Sequence, residues 1–337
     1  MRSERAKAVR LALVSVMTLV GTSMSGLRTA SAYCRTTTAK LPADYQPPPG
    51  ECFSEGLPVW WRNSCVGYSV QRDASRQVSR DDASLVLATA FTRWTNISCP
   101  TDGRGTSRVS IDVRDLGFAD CRLVEFNKTG PNQHVIVFRD DNWPHQGGTD
   151  TLALTTVSFN DKTGELLNAD MELNTVQNRV SIADPVPSDG YDLASILTHE
   201  AGHFFGLAHS AVSTASMFAR YNPGETAKRN LAPDDVEGIC AIYPPDGTRV
   251  VADTVDPTRH VPGAACDPTP RRGFTTQCAD AVAKGGCAVT PCPVSPVSSS
   301  TPWGSMVVGA FAMGMAFRRV ARSRRSPARP PSRSSAH

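Results

Sequence analysis

The sequence predicts an α+β domain over residues 55–246. Short apolar or alternating stretches of strand length fill its first two thirds, and two helix-like segments close it. Proline-rich and proline-terminated stretches, Pro47-Pro48-Pro49 and Pro244-Pro245, mark its ends. At 337 residues, with 40% hydrophobic and 20% charged, the chain has material for a sizeable core and is not globally disordered.

In chain order, residues 67–71 (GYSVQ) read as a strand. Residues 81–96 read as a helix, because Val86, Leu87, Ala90, Phe91, Trp94 and Ile97 recur at helical spacing. Asp81 and Asp82 suit the positive end of its dipole. Residues 108–113 and 134–138 are strand-like, as are 152–159 and 171–174, with a turn at Asn160-Asp161-Lys162-Thr163-Gly164. Residues 191–205 form a second helix, capped by Ser188 or Asp189 and stopped by Gly206. Pro233 opens a last helix through Ile242.

The net charge of +3 hides three regions. Residues 1–32 carry +4 and residues 318–337 carry +7, which leaves the body at −8. An acidic body argues against nucleic acid as a partner, and the two basic clusters sit where targeting signals lie. Residues 1–32 combine a basic start, a short apolar run (LALVSVMTLV) and Ala30-Ser31-Ala32, the pattern of a secretory signal peptide cleaved after Ala32. The expected product is secreted or displayed at the cell surface. A short segment, 33–54, would precede the domain.

After it, 247–292 would form a small module stapled by Cys266, Cys278, Cys287 and Cys292, and 293–302 a Pro/Ser-rich linker. Residues 303–337 hold an apolar run, expected to be helical, followed by Arg318, Arg319, Arg322, Arg324 and Arg325. That implies transient membrane association, with a weak permanent anchor as the alternative. An even ten cysteines in an exported chain predict disulfides, with the short-loop pairs Cys52–Cys65 and Cys99–Cys121 expected.

The chemistry lies in residues 199–209, HEAGHFFGLAH. His199 and His203 are four apart and share a helix face. Gly206 lets the chain turn back so that His209 can complete three imidazole ligands, leaving a zinc ion an open position for water. Glu200 stands where it can reach that water as general base. Chance alone gives such a pattern with a frequency on the order of 10⁻⁵ across the chain.

HExxHxxGxxH followed by a methionine resembles the metzincin pattern, with Met217 as the Met-turn. Ser210 after the third histidine, and Ala219 where a fifth ligand would stand, narrow the resemblance to matrixins, the matrix metalloproteinase-like group. The resemblance implies a metzincin-like zincin domain: a twisted mixed sheet, an active-site helix and a C-terminal helix. It implies a secreted zinc endopeptidase acting on protein or peptide substrates, a monomer with one catalytic Zn2+. Met217 would pack beneath the metal.

Leu152, Ala153, Leu154 and Thr155 resemble the edge strand that binds extended substrate, residues 168–174 (NADMELN) resemble the next strand, and Tyr221 and Pro223 resemble the wall of a specificity pocket. Gly286-Cys287, the apolar run and the Arg cluster resemble a bacterial, myxobacterial-type sorting tail. The PRCG-type latency motif of matrixins is missing. Cys34 is the candidate thiol near the mature N-terminus, and a disulfide is the favoured role for it. A second zinc is not expected, since the other histidines are His134, His145, His260 and His337. Calcium is left open at Asp140-Asp141-Asn142 and at residues 161–165. The rival function is an inactive, surface-displayed binding module with structural zinc.

Overall fold

A computed structural model describes residues 33–40, 51–103, 105–146, 148–250, 260–262 and 266–279, and residues 310–316 as a strand. The expected signal peptide, the linker, Cys287, Cys292 and the Arg cluster lie outside the described residues.

The architecture is α+β, built on a mixed six-stranded sheet. In chain order its elements are β1 (Cys65–Gln71), α1 (Arg80–Thr95), β2 (Asp112–Ala119), β3 (Val135–Phe138), β4 (Thr151–Phe159) and β5 (Leu166–Leu173). Then come α2 (Leu193–Phe204), α3 (Pro233–Ile242) and β6 (Ala310–Ala316). The spatial order is β6-β4-β5-β3-β1-β2. β1 runs parallel to β2 and β3, β3 runs parallel to β5, and β4 runs antiparallel to β5. β3 (VIVF) reads as a continuous apolar run because both faces are covered, whereas β1 is buried along its whole length although it includes Ser69 and Gln71.

α1 starts where Ser79 accepts from the Asp82 N–H, and it buries Leu87, Ala90, Phe91 and Trp94. That stripe meets α2: the Phe91 and Phe204 ring centroids are 5.1 Å apart, and Trp94 Nε1 donates to the Thr198 carbonyl at 2.8 Å. Asp192, rather than Ser188 or Asp189, caps α2, accepting from Ser195 N–H at 2.9 Å and Ser195 Oγ at 2.7 Å. Residues Tyr191–Asp192 are extended and pair with Val180–Ser181, which pushes the helix start downstream. Gly206, at φ +99°, ends the turn after α2, and a Cβ there would lie 2.9 Å from the Val59 carbonyl oxygen.

Several local expectations shift. Arg108 closes a small hairpin, Ser98–Thr101 with Gly105–Arg108, and the sheet strand is β2 further on. β2 carries charges and stands at the sheet edge, so its pattern is weak. β5 begins at Leu166, five residues before the start read from the apolar pattern and two before the one the resemblance implied. Its polar Asn168 and Asp170 are buried because Asp170 accepts from the backbone of Val135 and Glu125 and from Asn168 Nδ2. Residues Ala310–Ala316 form a strand antiparallel to β4 rather than the expected helix, the backbone of the sheet's edge supplying its hydrogen bonds. Among the described residues no helix is long and apolar enough to cross a membrane.

The short-loop disulfides do not form. Among the described residues the bridges are Cys34–Cys52, Cys65–Cys266, Cys99–Cys240 and Cys121–Cys278, with Cα separations of 5.3, 4.6, 5.5 and 4.7 Å. Tertiary packing decides them. The Cys99 hairpin lies on α3, and the chain after α3 returns to the start of β1 and the end of β2. Cys266 and Cys278 are therefore tied to the body instead of stapling a separate module. Arg249 is also buried, donating to the carbonyls of Trp61 and Ser110. At the other end, Cys34–Arg35 pairs with Leu207–Ala208, and Thr36 N–H donates to the Gly206 carbonyl at 2.9 Å.

Candidate metal centre

His199 and His203 lie one turn apart on α2, and His209 is carried back to them by the turn at Gly206. The three ring centroids are 4.8, 5.2 and 4.9 Å from one another. One ligand nitrogen from each lies within 4.8 Å of the others. The tautomers follow from the backbone. His199 Nδ1 donates to the Ser216 carbonyl at 2.6 Å, and His203 Nδ1 donates to the Leu207 carbonyl at 2.8 Å. Their Nε2 lone pairs therefore face the cluster.

The Nε2 atoms of all three histidines are buried and hydrogen-bond to no protein group. Three buried ring nitrogens turned toward one another are costly without a partner, and a divalent cation supplies one. Burial and mutual repulsion hold His199 and His209 well below the usual histidine range, and burial holds His203 near 4. The imidazoles are thus neutral, as metal ligation requires. This donor set fits zinc.

Glu200 is fully buried beside them. Its Oε2 accepts from Thr155 Oγ1 at 2.6 Å, and Oε1 has no protein partner. Burial raises its carboxyl to about 8, against the Thr155 bond, which lowers it. Thr155 lies on β4, so this bond fixes the helix against the strand that carries Leu152, Ala153 and Leu154. All three are buried, and the outer edge of β4 is paired with β6, Met313 standing opposite Thr155.

Met217 lies directly under α2. A Cβ at Gly202 would come within 2.2 Å of Met217 Sδ and 2.8 Å of Trp94 Cζ2, so only glycine admits this approach. The Asp235 carboxylate accepts from the N–H groups of Ser216, Met217 and Ala232. Tyr221 packs against Tyr191, ring centroids 6.1 Å apart, and its hydroxyl donates to the Glu225 carbonyl; Pro223 is exposed in the same turn.

Elsewhere, Cys34 is in a disulfide and offers no thiol. The carboxylate of Asp140 is taken by Ser75 Oγ, Thr175 Oγ1 and the Arg76 N–H, donors that leave no set of free oxygens for calcium at that residue. From sequence Thr155 reads only as part of the edge strand, and Asp192, Lys228, Arg229 and Asp235 are not singled out. Only the Asp234-Asp235 pair after Pro233 carried a local signal, as acidic residues in a first helical turn.

Residues 59–244 match the sequence profile of the family described as Matrixin. The chain is similar to Metalloendoproteinase 5-MMP of Arabidopsis thaliana, 29% identical over 195 residues, 57% of this chain and 47% of that protein. It is similar to the neutrophil collagenase of Homo sapiens, 26% identical over 220 residues, 65% of this chain and 40% of that protein. Over a shorter stretch of 59 residues it is 46% identical to Metalloendoproteinase 1 of Glycine max, 18% of this chain and 19% of that protein. The chain spans about half the length, or less, of these relatives.

Proposed function

The chain belongs to the matrixin family, and from that premise we propose that it is a secreted zinc-dependent endopeptidase. His199, His203 and His209 hold the metal and Glu200 is the general base. The observation that carries this reading is the convergence of three buried, unpartnered Nε2 atoms beside a buried carboxylate with one free oxygen. A bound zinc supplies Lewis-acid polarisation of the scissile carbonyl and acidifies a water.

The protein's own groups do the rest. The Ser216 and Leu207 carbonyls orient His199 and His203. Thr155 fixes one oxygen of Glu200; a bound cation would favour the ionised carboxylate, leaving the other oxygen to take the proton of the attacking water and return it to the leaving amine. Peptide substrate runs extended along the outer edge of β4 past Leu152–Leu154, in place of residues 310–316. One of its side chains enters between α2 and the segment from Met217 to Pro223.

Residues 1–32 act as the export signal, and residues 303–337 as a tail that sorts or briefly anchors the chain. Four disulfides among the described residues support an oxidising destination.

The test is cleavage of a random peptide library by the full chain, before and after a zinc chelator. Loss of cleavage on chelation and its return with one equivalent of zinc support the proposal. Cleavage that survives complete zinc removal refutes it, and zinc binding without any cleavage favours the inactive binding module.

A further inference from the structure

Between Met217 and α3 the chain makes a single 3-10 turn, Ala227–Arg229, with two adjacent cations. Their side chains serve different parts of the metal centre. Lys228 is buried at 5% exposure. Its Nζ donates to the Ala215 carbonyl and the Phe218 carbonyl, both at 2.9 Å, the two carbonyls that bracket Ser216-Met217. It also lies 5.1 Å from the centroid of the Phe218 ring. Ser216 Oγ closes the loop by donating to the backbone carbonyls of Lys228 at 3.2 Å and Asn230 at 2.9 Å.

The Ser216 carbonyl is the group that accepts from His199 Nδ1. Lys228 therefore stands one step behind the acceptor that orients a ligand ring.

Arg229 grips the other side. Its Nε and Nη2 donate to the two oxygens of Asp192 at 2.9 and 2.8 Å, a two-pronged pair on a carboxylate with no exposed surface. Asp192 caps the helix that carries His199 and His203. One turn of chain thus clamps the start of α2 and the loop beneath its ligands. Ammonium burial is costly, and it holds Lys228 down near 8. A methionine or leucine would fill the same space without that cost, but it could not bond two backbone carbonyls.

We infer that Lys228, backed by Arg229, is a positioning residue of the metal centre, fixing the orientation of His199 through residues 215–218. This rests on the zinc reading above. It adds a claim of its own: a residue outside the HExxHxxGxxH motif, touching neither metal nor substrate, sets metal affinity and ligand geometry.

The experiment uses the full chain with cobalt(II) as a visible-absorption probe and a chelator competition for the zinc Kd. Lys228→Met should fold and bind one metal, with the Kd weakened roughly 10- to 100-fold, the usual loss for an outer-shell partner. Its cobalt ligand-field bands should shift. Lys228→Arg, which keeps a charged donor, should recover most of the affinity. If Lys228→Met does not fold, Lys228→Gln, which is neutral and shorter and so loses the charged link to the two carbonyls, is read in the same way.

Wild-type Kd and an unchanged cobalt spectrum in folded variants would overturn the inference while the zinc reading stands. No cobalt or zinc bound by the wild-type chain would overturn the zinc reading, and this inference with it.

Discussion

Replacing Gly202 by alanine puts a methyl group into occupied space. The added Cβ would sit 2.2 Å from Met217 Sδ and 2.8 Å from Trp94 Cζ2. Normal contact is about 3.5–4.0 Å, so one partner must retreat by more than about 1 Å. Trp94 has no exposed surface and is held by its bond to Thr198, so Met217 and its loop must move. That motion draws the Ser216 carbonyl away from His199.

Overpacking of this kind costs about 1–3 kcal/mol, and alanine returns about 1 kcal/mol of helix propensity. The net expectation is a loss of up to about 2 kcal/mol, with weaker zinc binding. Chemical denaturation of the zinc-loaded chain and chelator competition measure the two effects. Adding Met217→Ala should recover part of the loss in a double-mutant cycle. A Gly202→Ala chain as stable as wild type, with unchanged zinc affinity, would refute the close packing of α2 on the Met217 loop.

Three more predictions concern other regions. Burial drives His134 down to about 4, so as pH falls below the unfolded value near 6.5 the unfolded chain takes up a proton that the folded chain refuses. Stability is therefore lost between pH 6.5 and 4, by an amount on the order of 3 kcal/mol. His134→Gln should show a shallower loss across that window in denaturant titrations, and an equal loss would remove His134 as its source. A chain ending at Thr301 should cleave peptides faster, because β6 no longer competes for the β4 edge. A tethered strand at about millimolar effective concentration predicts a gain of roughly tenfold in kcat/KM if its intrinsic Kd is about 0.1 mM. Equal rates would mean the tail does not obstruct that edge. Cys34 is bonded to Cys52, so alkylating reagents applied without reductant should leave activity unchanged, as measured in the same peptide assay.

The legible part of this protein is its local chemistry. Helical spacing located α1 and α2 to within about two residues. The order His199, Glu200, His203, Gly206, His209 carried a backbone geometry as well as a ligand set, because Gly206 takes a positive φ that a side chain would strain. What sequence did not yield depends on distant partners. Cys65 and Cys266 are 201 residues apart, and nothing in either neighbourhood announces the other. Nothing near Asp170 and Asn168 announces their burial, since the donors to Asp170 lie on the strand β3 and at Glu125 as well as on Asn168 itself. Lys228 and Arg229 carry no local pattern that marks them, yet one is buried and the other is paired with a buried helix cap. Such residues acquire their roles only when α2, the Met217 loop and α3 are packed together.

The most direct measurement compares wild type with Glu200→Gln, each assayed for zinc content and for peptide cleavage in the same preparation. The account predicts one zinc per chain in both and cleavage by the wild type alone. Undiminished cleavage by Glu200→Gln, or a folded wild-type chain that takes up no zinc, would contradict it.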